Sequence, residues 1–358
     1  MGFLKALFEA KKGNTNVNND TQPQLNHNAD ISTRKPSDQI QNLVLLSIAE
    51  SFRVDEKKYP DYLRLRFGIG FPNEVFKSLE NSGSLRRSTA IETLPHMKAT
   101  ELKSIAAQFG LKSSGTKDDI CVRIAEIVTE KALAQFVPDR YWITTETGKA
   151  QLEANPYISF YTSKHTYSWD AVGLDINTYA KLFSGKATGR VRDIIWQYFN
   201  RSSMDLYNNG ITKGDFNDYT EMLHTMALFL EEENRHQDAL ALYMRYIYYR
   251  ANFEASLSAF RYYSVDKNVD NAADIVFRYA EILPYHANEI IDISNCCGFD
   301  SKQMQSFIQE AFSKEQDQGI FSPSELTEFV MFGLNGDQNG QKRICRSAML
   351  LAAKKLPR

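Results

Sequence analysis

Apolar residues recur at helical spacing on both sides of a short basic loop between residues 110 and 116. They are three and four residues apart before the loop and recur at i, i+4 and i+7 after it, so each set lies on one face of a helix. These positions are Leu102, Ile105, Ala106 and Phe109 before the loop and Ile120, Ile124 and Ile127 after it. The pattern predicts two short helices that share one core.

Polar residues and glycine define the predicted ends of these helices. Thr100 is suited to cap the first helix through its hydroxyl, and Glu101 suits the positive end of the helix dipole. Gly110 predicts the end of this helix. An exposed link follows over residues 112–115, and Thr116 is suited to cap the second helix. The segment is therefore predicted to be a helix–loop–helix.

Residues 91–128 resemble the SAP domain, a helix–loop–helix DNA-binding motif. The positions that match the motif are Met97, Ala99, Glu101-Leu102-Lys103, Gly110-Leu111, Gly115-Thr116-Lys117, Ile120 and Arg123-Ile124. The resemblance implies that backbone amides from Ser114 to Lys117, at the start of the second helix, contact a phosphate surrounded by cations. The predicted DNA-binding residues are Lys103, Lys112, Ser114, Gly115, Thr116, Lys117 and Arg123, with Arg86 and Arg87 just upstream as additions to the patch.

The charge of this segment limits the expected affinity. The segment from residue 91 to residue 135 contains six basic and six acidic residues, so its formal charge is zero. Ala107 and Phe109 stand where many SAP domains carry Lys, Arg or His. Because affinity for DNA depends on the number of neutralised phosphates, a single module of this kind should bind weakly and in a salt-sensitive way. The alternative interpretation is a helical hairpin that packs on protein.

The segments that flank the hairpin complete a predicted N-terminal domain over residues 36–155. Pro36-Ser37 is a helix-start signal, followed by apolar residues on one face of a helix. A helix that ends in Ser-Gly-Ser-Leu, and a later Tyr-x-Ile-Thr-x-x-x-Gly, resemble the flanks of a bacterial winged-helix domain with the hairpin inserted between them. The alternative is that Trp142 and Ile143 simply complete the core beneath the hairpin.

Residues 156–358 are predicted to form a C-terminal α-helical domain, either a bundle of hairpins or a short solenoid. The segments with helical spacing are Ile176–Phe183, Val191–Ser203, Phe216–Glu232, Gln237–Phe253, Ala272–Ile282, Ala287–Cys297, Lys302–Phe312, Ser324–Phe332 and Lys342–Lys354. Residues 228–246 resemble one tetratricopeptide-type helix pair, in which Ala239 allows close approach. A domain of this kind would bind a protein partner or associate with itself.

The first 35 residues differ from the rest. Residues 1–12 carry a short amphipathic stripe that would dock on a partner, touch a membrane surface or pack on its own chain. Residues 13–35 are rich in Asn, Asp, Thr and Gln and are predicted to be a disordered linker. The expected fold class is therefore mainly α: a small domain that contains the SAP-like motif, followed by the helical domain.

Composition sets further bounds. The net charge of −2 excludes a protein that coats nucleic acid with its whole surface, so DNA contact must come from a local patch. Four cysteines show no paired metal spacing and indicate a reducing compartment. No apolar run reaches the roughly 20 residues of a membrane span. We expect a cytoplasmic protein of bacterial or phage type.

Catalytic motifs are missing from the sequence. There is no phosphate-binding glycine loop, no nucleophile elbow and no catalytic Cys–His phrase. His224 and Glu221 lie one helical turn apart, as in metal sites, but no second pair of ligands is visible. We therefore expect no catalytic residue, metal or cofactor, and predict a non-enzymatic DNA-binding protein. The alternative function is a structural or assembly protein of a larger complex, such as a phage or mobile-element complex.

Overall fold

The computed structural model describes residues 36–163, 167–183, 190–315 and 319–355. The predicted amphipathic segment 1–12 and linker 13–35 lie outside the described residues. The chain divides into two compact units, Asn26–Val191 and a unit that contains Arg192–Arg358. The described residues form helices and one two-stranded sheet, as the predicted mainly α fold class requires.

The first unit combines short helices with the small sheet. Its elements are α1 (Asp38–Ile48), α2 (Asp61–Phe67), α3 (Pro72–Asn81), β1 (Leu85–Arg87), α4 (Ala90–Thr93), α5 (Ala99–Gln108), α6 (Lys117–Ile127), α7 (Glu130–Leu133), β2 (Trp142–Thr144), α8 (Glu146–Ala154), α9 (Pro156–Ser163), α10 (Tyr167–Ala171) and α11 (Ile176–Phe183). Short 3₁₀ turns at Ala49–Ser51 and Leu94–His96 link neighbouring elements.

The sheet joins the two segments that flank the hairpin. Strands β1 and β2 are antiparallel, with Leu85 opposite Thr144 and Arg87 opposite Trp142. Gly148 packs so closely on β1 that an added Cβ would lie 2.3 Å from the carbonyl oxygen of Ser84. The predicted association of the two flanks is therefore present, with α4 to α7 between the strands. Their resemblance to a winged-helix domain stays a prediction.

Elements after residue 155 continue the first unit. The hydroxyls of Ser47 and Thr162 are 2.9 Å apart and join α1 to α9. Arg66 Nε donates to Asp170 Oδ2 at 2.5 Å and joins α2 to α10. Because α9 and α10 pack on this unit, it extends to Val191, beyond the range of 36–155 that the sequence indicates.

The second unit consists of helices in the described residues. They are α12 (Val191–Lys213), α13 (Asn217–Glu232), α14 (His236–Tyr249), α15 (Ser256–Asp266), α16 (Val269–Ala280), α17 (Pro284–Cys296), α18 (Ser301–Ser313), α19 (Pro323–Leu334) and α20 (Gln338–Lys355), with a π-helical segment (Arg250–Ala255) between α14 and α15. The helices predicted from sequence match this order, except that α15 was not expected.

Large aromatic side chains form much of the core of the second unit. Phe216, Tyr249 and Phe253 pack together, with the rings of Phe216 and Phe253 4.9 Å apart. Helices α13 and α14 lie side by side and are joined by a three-residue turn, as expected for an antiparallel pair, and Ala239 on α14 is fully buried. Among the described helices, none has the length and apolarity to cross a membrane.

Candidate nucleic-acid interface

The predicted hairpin has a core of its own. Helices α5 and α6 pack against each other, and their apolar faces join residues of α4 and α7 in one cluster. The buried members of the cluster are Ala90, Leu94, Leu102, Ile105, Ala106, Ile120, Cys121, Ile124, Val128, Leu133 and Val137. The prediction for Ile127 was wrong, because this side chain is 62% exposed. Val128 is buried in its place, since the chain leaves the helix there.

The first helix of the hairpin begins one residue earlier than Thr100 would require. Lys98 holds the N-cap position, and its backbone N–H donates to Glu101 Oε2 at 2.8 Å. Thr100 lies in the first turn and is exposed, so its predicted capping role was wrong. Gly110 follows the helix with a φ of +68°, a conformation that glycine adopts without strain.

The loop and the start of α6 are held by a reciprocal pair of hydrogen bonds. Thr116 caps the helix by accepting from the backbone N–H of Asp119 at 3.2 Å, and Asp119 Oδ2 accepts from the N–H of Thr116 at 2.9 Å. These hydrogen bonds lower the pKa of the Asp119 carboxyl. Since Asp119 occupies the N–H of Thr116, the amides left for an anion at this helix start are those of Lys117 and Asp118.

Four cations belong to the hairpin site. Lys103 and Lys112 are exposed, on α5 and on the loop. Lys117 Nζ donates to the carbonyl oxygen of Pro95 at 2.5 Å. Arg123 Nη1 donates to the carbonyl oxygens of Lys112 and Ser114, at 3.3 Å in the second case. Because these acceptors are neutral carbonyls and not carboxylates, Lys117 and Arg123 keep their positive charges unneutralised by them.

Arg86 and Arg87 have different surroundings. Arg86 forms a two-pronged pair with Glu92, at 2.7 and 2.6 Å, and Arg87 Nε donates to Glu80 Oε1 at 2.9 Å. Consecutive strand residues point to opposite faces of a sheet, so the two arginines do not share a surface. The structure thus groups Lys112, the 114–117 turn and Arg123, and it pairs both arginines of β1 with carboxylates.

Glu130 is a residue of the site that the sequence analysis missed. Its carboxylate accepts from the backbone N–H groups of Ala90 at 2.6 Å and Ile91 at 3.0 Å. It thereby caps α4 from α7 and joins the helix that precedes the hairpin to the helix that follows it. The sequence signal for α4 was present, because Thr89 and Glu92 form a capping box. Nothing in the sequence connected Glu130 to it, because the two segments are far apart along the chain.

The segment is a two-helix hairpin with a glycine-containing turn, two backbone amides at the start of its second helix and cations beside that turn, which is the arrangement of a small helix–loop–helix. Residues 93–128 match the family model of the SAP domain. This match bears out the resemblance seen in the sequence and indicates nucleic-acid binding in general. It covers about a tenth of the chain. Comparisons of the chain with curated proteins and with solved structures find no match.

Proposed function

We propose that the protein binds duplex DNA through the sugar-phosphate backbone, with the SAP hairpin as the contact surface and without enzymatic activity. The observation that carries the proposal is the position of Lys117 and Arg123. Arg123 is held against the turn by the carbonyl oxygens of Lys112 and Ser114, and Lys117 contacts the carbonyl oxygen of Pro95. These neutral acceptors leave both positive charges available to a polyanion. A phosphate at the start of α6 would receive the amides of Lys117 and Asp118 and be approached by Lys112.

The proposed interaction is weak for a lone hairpin. Residues 91–135 have no net charge, and Asp118 and Asp119 lie in the first turn of α6 beside the proposed phosphate. The second unit would raise the effective affinity if it brings two copies of the chain, or a partner with its own DNA contact, to one duplex. We therefore propose a helical interaction or self-association role for the second unit.

Binding to a labelled duplex, followed by fluorescence anisotropy over a salt series, tests the DNA proposal. The variant combines Lys103→Ala with Lys112→Ala, two exposed side chains whose removal leaves the bracing of the loop intact. Loss of two phosphate contacts should lower affinity at least tenfold and reduce the salt slope by roughly two. The matched control combines Lys57→Ala with Lys58→Ala, which removes the same charge from exposed positions outside the hairpin.

Salt-independent binding by the unaltered protein, or an equal loss of affinity in both double variants, would overturn the DNA proposal. Circular dichroism of each variant confirms that the fold is retained. Substitutions of Lys117 and Arg123 are less suitable for this test, because Arg123 also holds the loop and Lys117 also contacts the carbonyl oxygen of Pro95.

A second candidate function is assembly through protein contacts of the hairpin. Val122 and Ile127, both on α6, are 56% and 62% exposed, and exposed apolar side chains suit contact with a protein partner. In this case sedimentation would show a molecular mass that rises with protein concentration and does not change when DNA is added. The double variant Val122→Ser with Ile127→Ser would abolish this rise in mass. A mass that stays monomeric at all concentrations would count against self-assembly through this surface.

A further inference from the structure

Three side chains with metal-ligating atoms converge in the second unit. His224 lies on α13, while His286 and Glu289 lie three residues apart on one face of α17. One ligand atom from each residue lies within 4.8 Å of the other two. In the sequence, His224 stands one helical turn from Glu221, but its partners in the cluster come from a distant helix, where spacing along the chain gives no signal.

The two imidazoles lie next to each other, His286 buried and His224 half-buried. Their ring centroids are 5.8 Å apart, with the planes at 82°. His286 is 8% exposed. The Nε2 atom of His224 is buried and has no hydrogen-bond partner among the described residues. A buried polar atom without a partner destabilises the fold, so an additional ligand at this position is favoured.

The donor set has the chemistry of a transition-metal site. Two neutral imidazoles and one carboxylate are ligands of zinc, with a water molecule in the fourth position. Burial lowers the pKa of both histidines, which keeps their lone pairs free near neutral pH. The hydroxyl of Tyr243, which is not a member of the cluster, donates to Glu289 Oε2 at 3.3 Å and so orients the carboxylate. A cavity of about 10 Å³ borders His286 and has room for about one water molecule.

Distances and charges around the cluster set the conditions for binding. Ligand atoms of tetrahedral zinc lie about 3.3 Å apart, so binding would draw the three side chains together by side-chain rotation. Arg250 carries a positive charge near the cluster, which opposes the binding of a cation. Its guanidinium is held by the hydroxyl of Tyr246 and by the carbonyl oxygen of Tyr279. Glu289 contributes one negative charge to the site.

We propose that His224, His286 and Glu289 bind one divalent transition-metal ion of the zinc class. The site lies in the second unit, away from the SAP residues in sequence, and the proposal does not depend on DNA binding. It would give the second unit a metal-dependent stability, because an ion that binds the folded state selectively raises the melting temperature.

Calorimetric titration with Zn²⁺ tests the proposal on the full chain, purified without a histidine tag and freed of metal by a chelator. We expect one saturable equivalent per chain, a higher melting temperature with Zn²⁺, and tetrahedral-type visible absorption with Co²⁺. Glu289→Gln and His286→Asn should each weaken Zn²⁺ binding at least tenfold. Glu289→Gln is the variant least disturbing to the fold, because this residue is only half-buried.

The matched control is His236→Gln. His236 is in the same unit and also has a buried ring nitrogen without a partner among the described residues, but it is outside the cluster. Its substitution should leave Zn²⁺ binding unchanged. The proposal is overturned if the unaltered chain shows no saturable 1:1 binding, if Glu289→Gln and His286→Asn bind like the unaltered chain, or if His236→Gln loses as much affinity as they do.

Discussion

Arg123 Nη1 lies 3.3 Å from the carbonyl oxygen of Ser114, nine residues earlier in the chain, and donates a hydrogen bond to it. The same nitrogen also donates to the carbonyl oxygen of Lys112. Arg123 therefore spans the loop and fixes its path at the start of α6. Its guanidinium shapes the proposed phosphate site before any ligand arrives, whereas Lys112 extends from the loop into solvent.

This geometry predicts different consequences for two cation removals. Lys112→Ala should reduce the slope of log affinity against log salt by about one, because it removes one phosphate contact. Arg123→Ala should reduce the slope by a similar amount and lower affinity further, because it removes a positive charge beside the phosphate site and also releases the loop. Anisotropy titrations with duplex DNA over a salt series measure both quantities. An equal loss of affinity in the two variants would show that the hydrogen bonds of Arg123 to the loop contribute nothing to binding.

A second prediction separates the two threonines of the hairpin. Thr116→Ala removes the side-chain acceptor for the N–H of Asp119 and should destabilise the first unit by about 1 kcal/mol. Thr100→Ala should change stability by less than about 0.5 kcal/mol, because Thr100 is exposed and caps nothing. Chemical denaturation measures both changes. A larger loss in Thr100→Ala would contradict the assignment of Lys98 as the N-cap.

The hairpin could be predicted from sequence because its signals are local. Gly110 and Thr116 each act on the adjacent helix, and the apolar stripes need only the spacing within one helix. Ile127 was misplaced because the helix ends at that residue, and periodicity alone does not show where the chain turns inward. Helix α15 was missed for a related reason, since a π-helical segment joins it to α14 without a break in the sequence pattern.

Long-range relationships were beyond the sequence analysis. The strand that carries Arg86 has three residues and pairs with a segment far along the chain. The nearby sequence therefore did not predict that Arg86 and Arg87 point to opposite faces of a sheet. Glu130 capping α4 and His224 meeting His286 depend in the same way on how distant helices pack. The sequence gives the chemistry of each side chain, and the tertiary fold decides which of them meet.

A third prediction concerns acid stability. Hydrogen bonds from Arg86, and then from the Thr89 backbone, lower the pKa of Glu92 to about 2. A carboxylate with a lowered pKa stabilises the fold above the pKa of the unfolded chain, and this contribution disappears as the pH falls toward 2. Arg86→Gln should raise the Glu92 pKa toward its ordinary range in an NMR titration. Because the pair is exposed, the stability loss near pH 7 should stay below about 1 kcal/mol.

Arg87→Gln is the matched control for this titration. It removes the same charge from the next strand residue, which pairs with Glu80 on the other face. The Glu92 pKa should be unaffected by it. An unshifted Glu92 in Arg86→Gln, or an equal shift in the control, would contradict the pairing that the structure shows.

A fourth prediction comes from Glu254, in the π-helical segment of the second unit. Burial raises the pKa of this carboxyl to about 7, against the opposing effects of a hydrogen bond from Thr220 and the charge of Arg250. Because the pKa is raised in the folded state, the contribution of Glu254 to the free energy of unfolding is fully present below about pH 4. It decreases as the pH rises through 7 and is constant at higher pH. Glu254→Gln keeps the acceptor for Thr220 and removes the titration.

At pH 8, Glu254→Gln should therefore be more stable than the unaltered chain by about 1–3 kcal/mol, while at pH 4 the two should be nearly equal. Denaturation of both proteins across this range measures the difference. The control is Glu328→Gln, an exposed glutamate of α19 whose substitution should shift the stability by less than about 0.5 kcal/mol at either pH. If Glu254→Gln is destabilising at pH 8, the carboxylate is ionised and paired in the fold, and burial does not govern its titration.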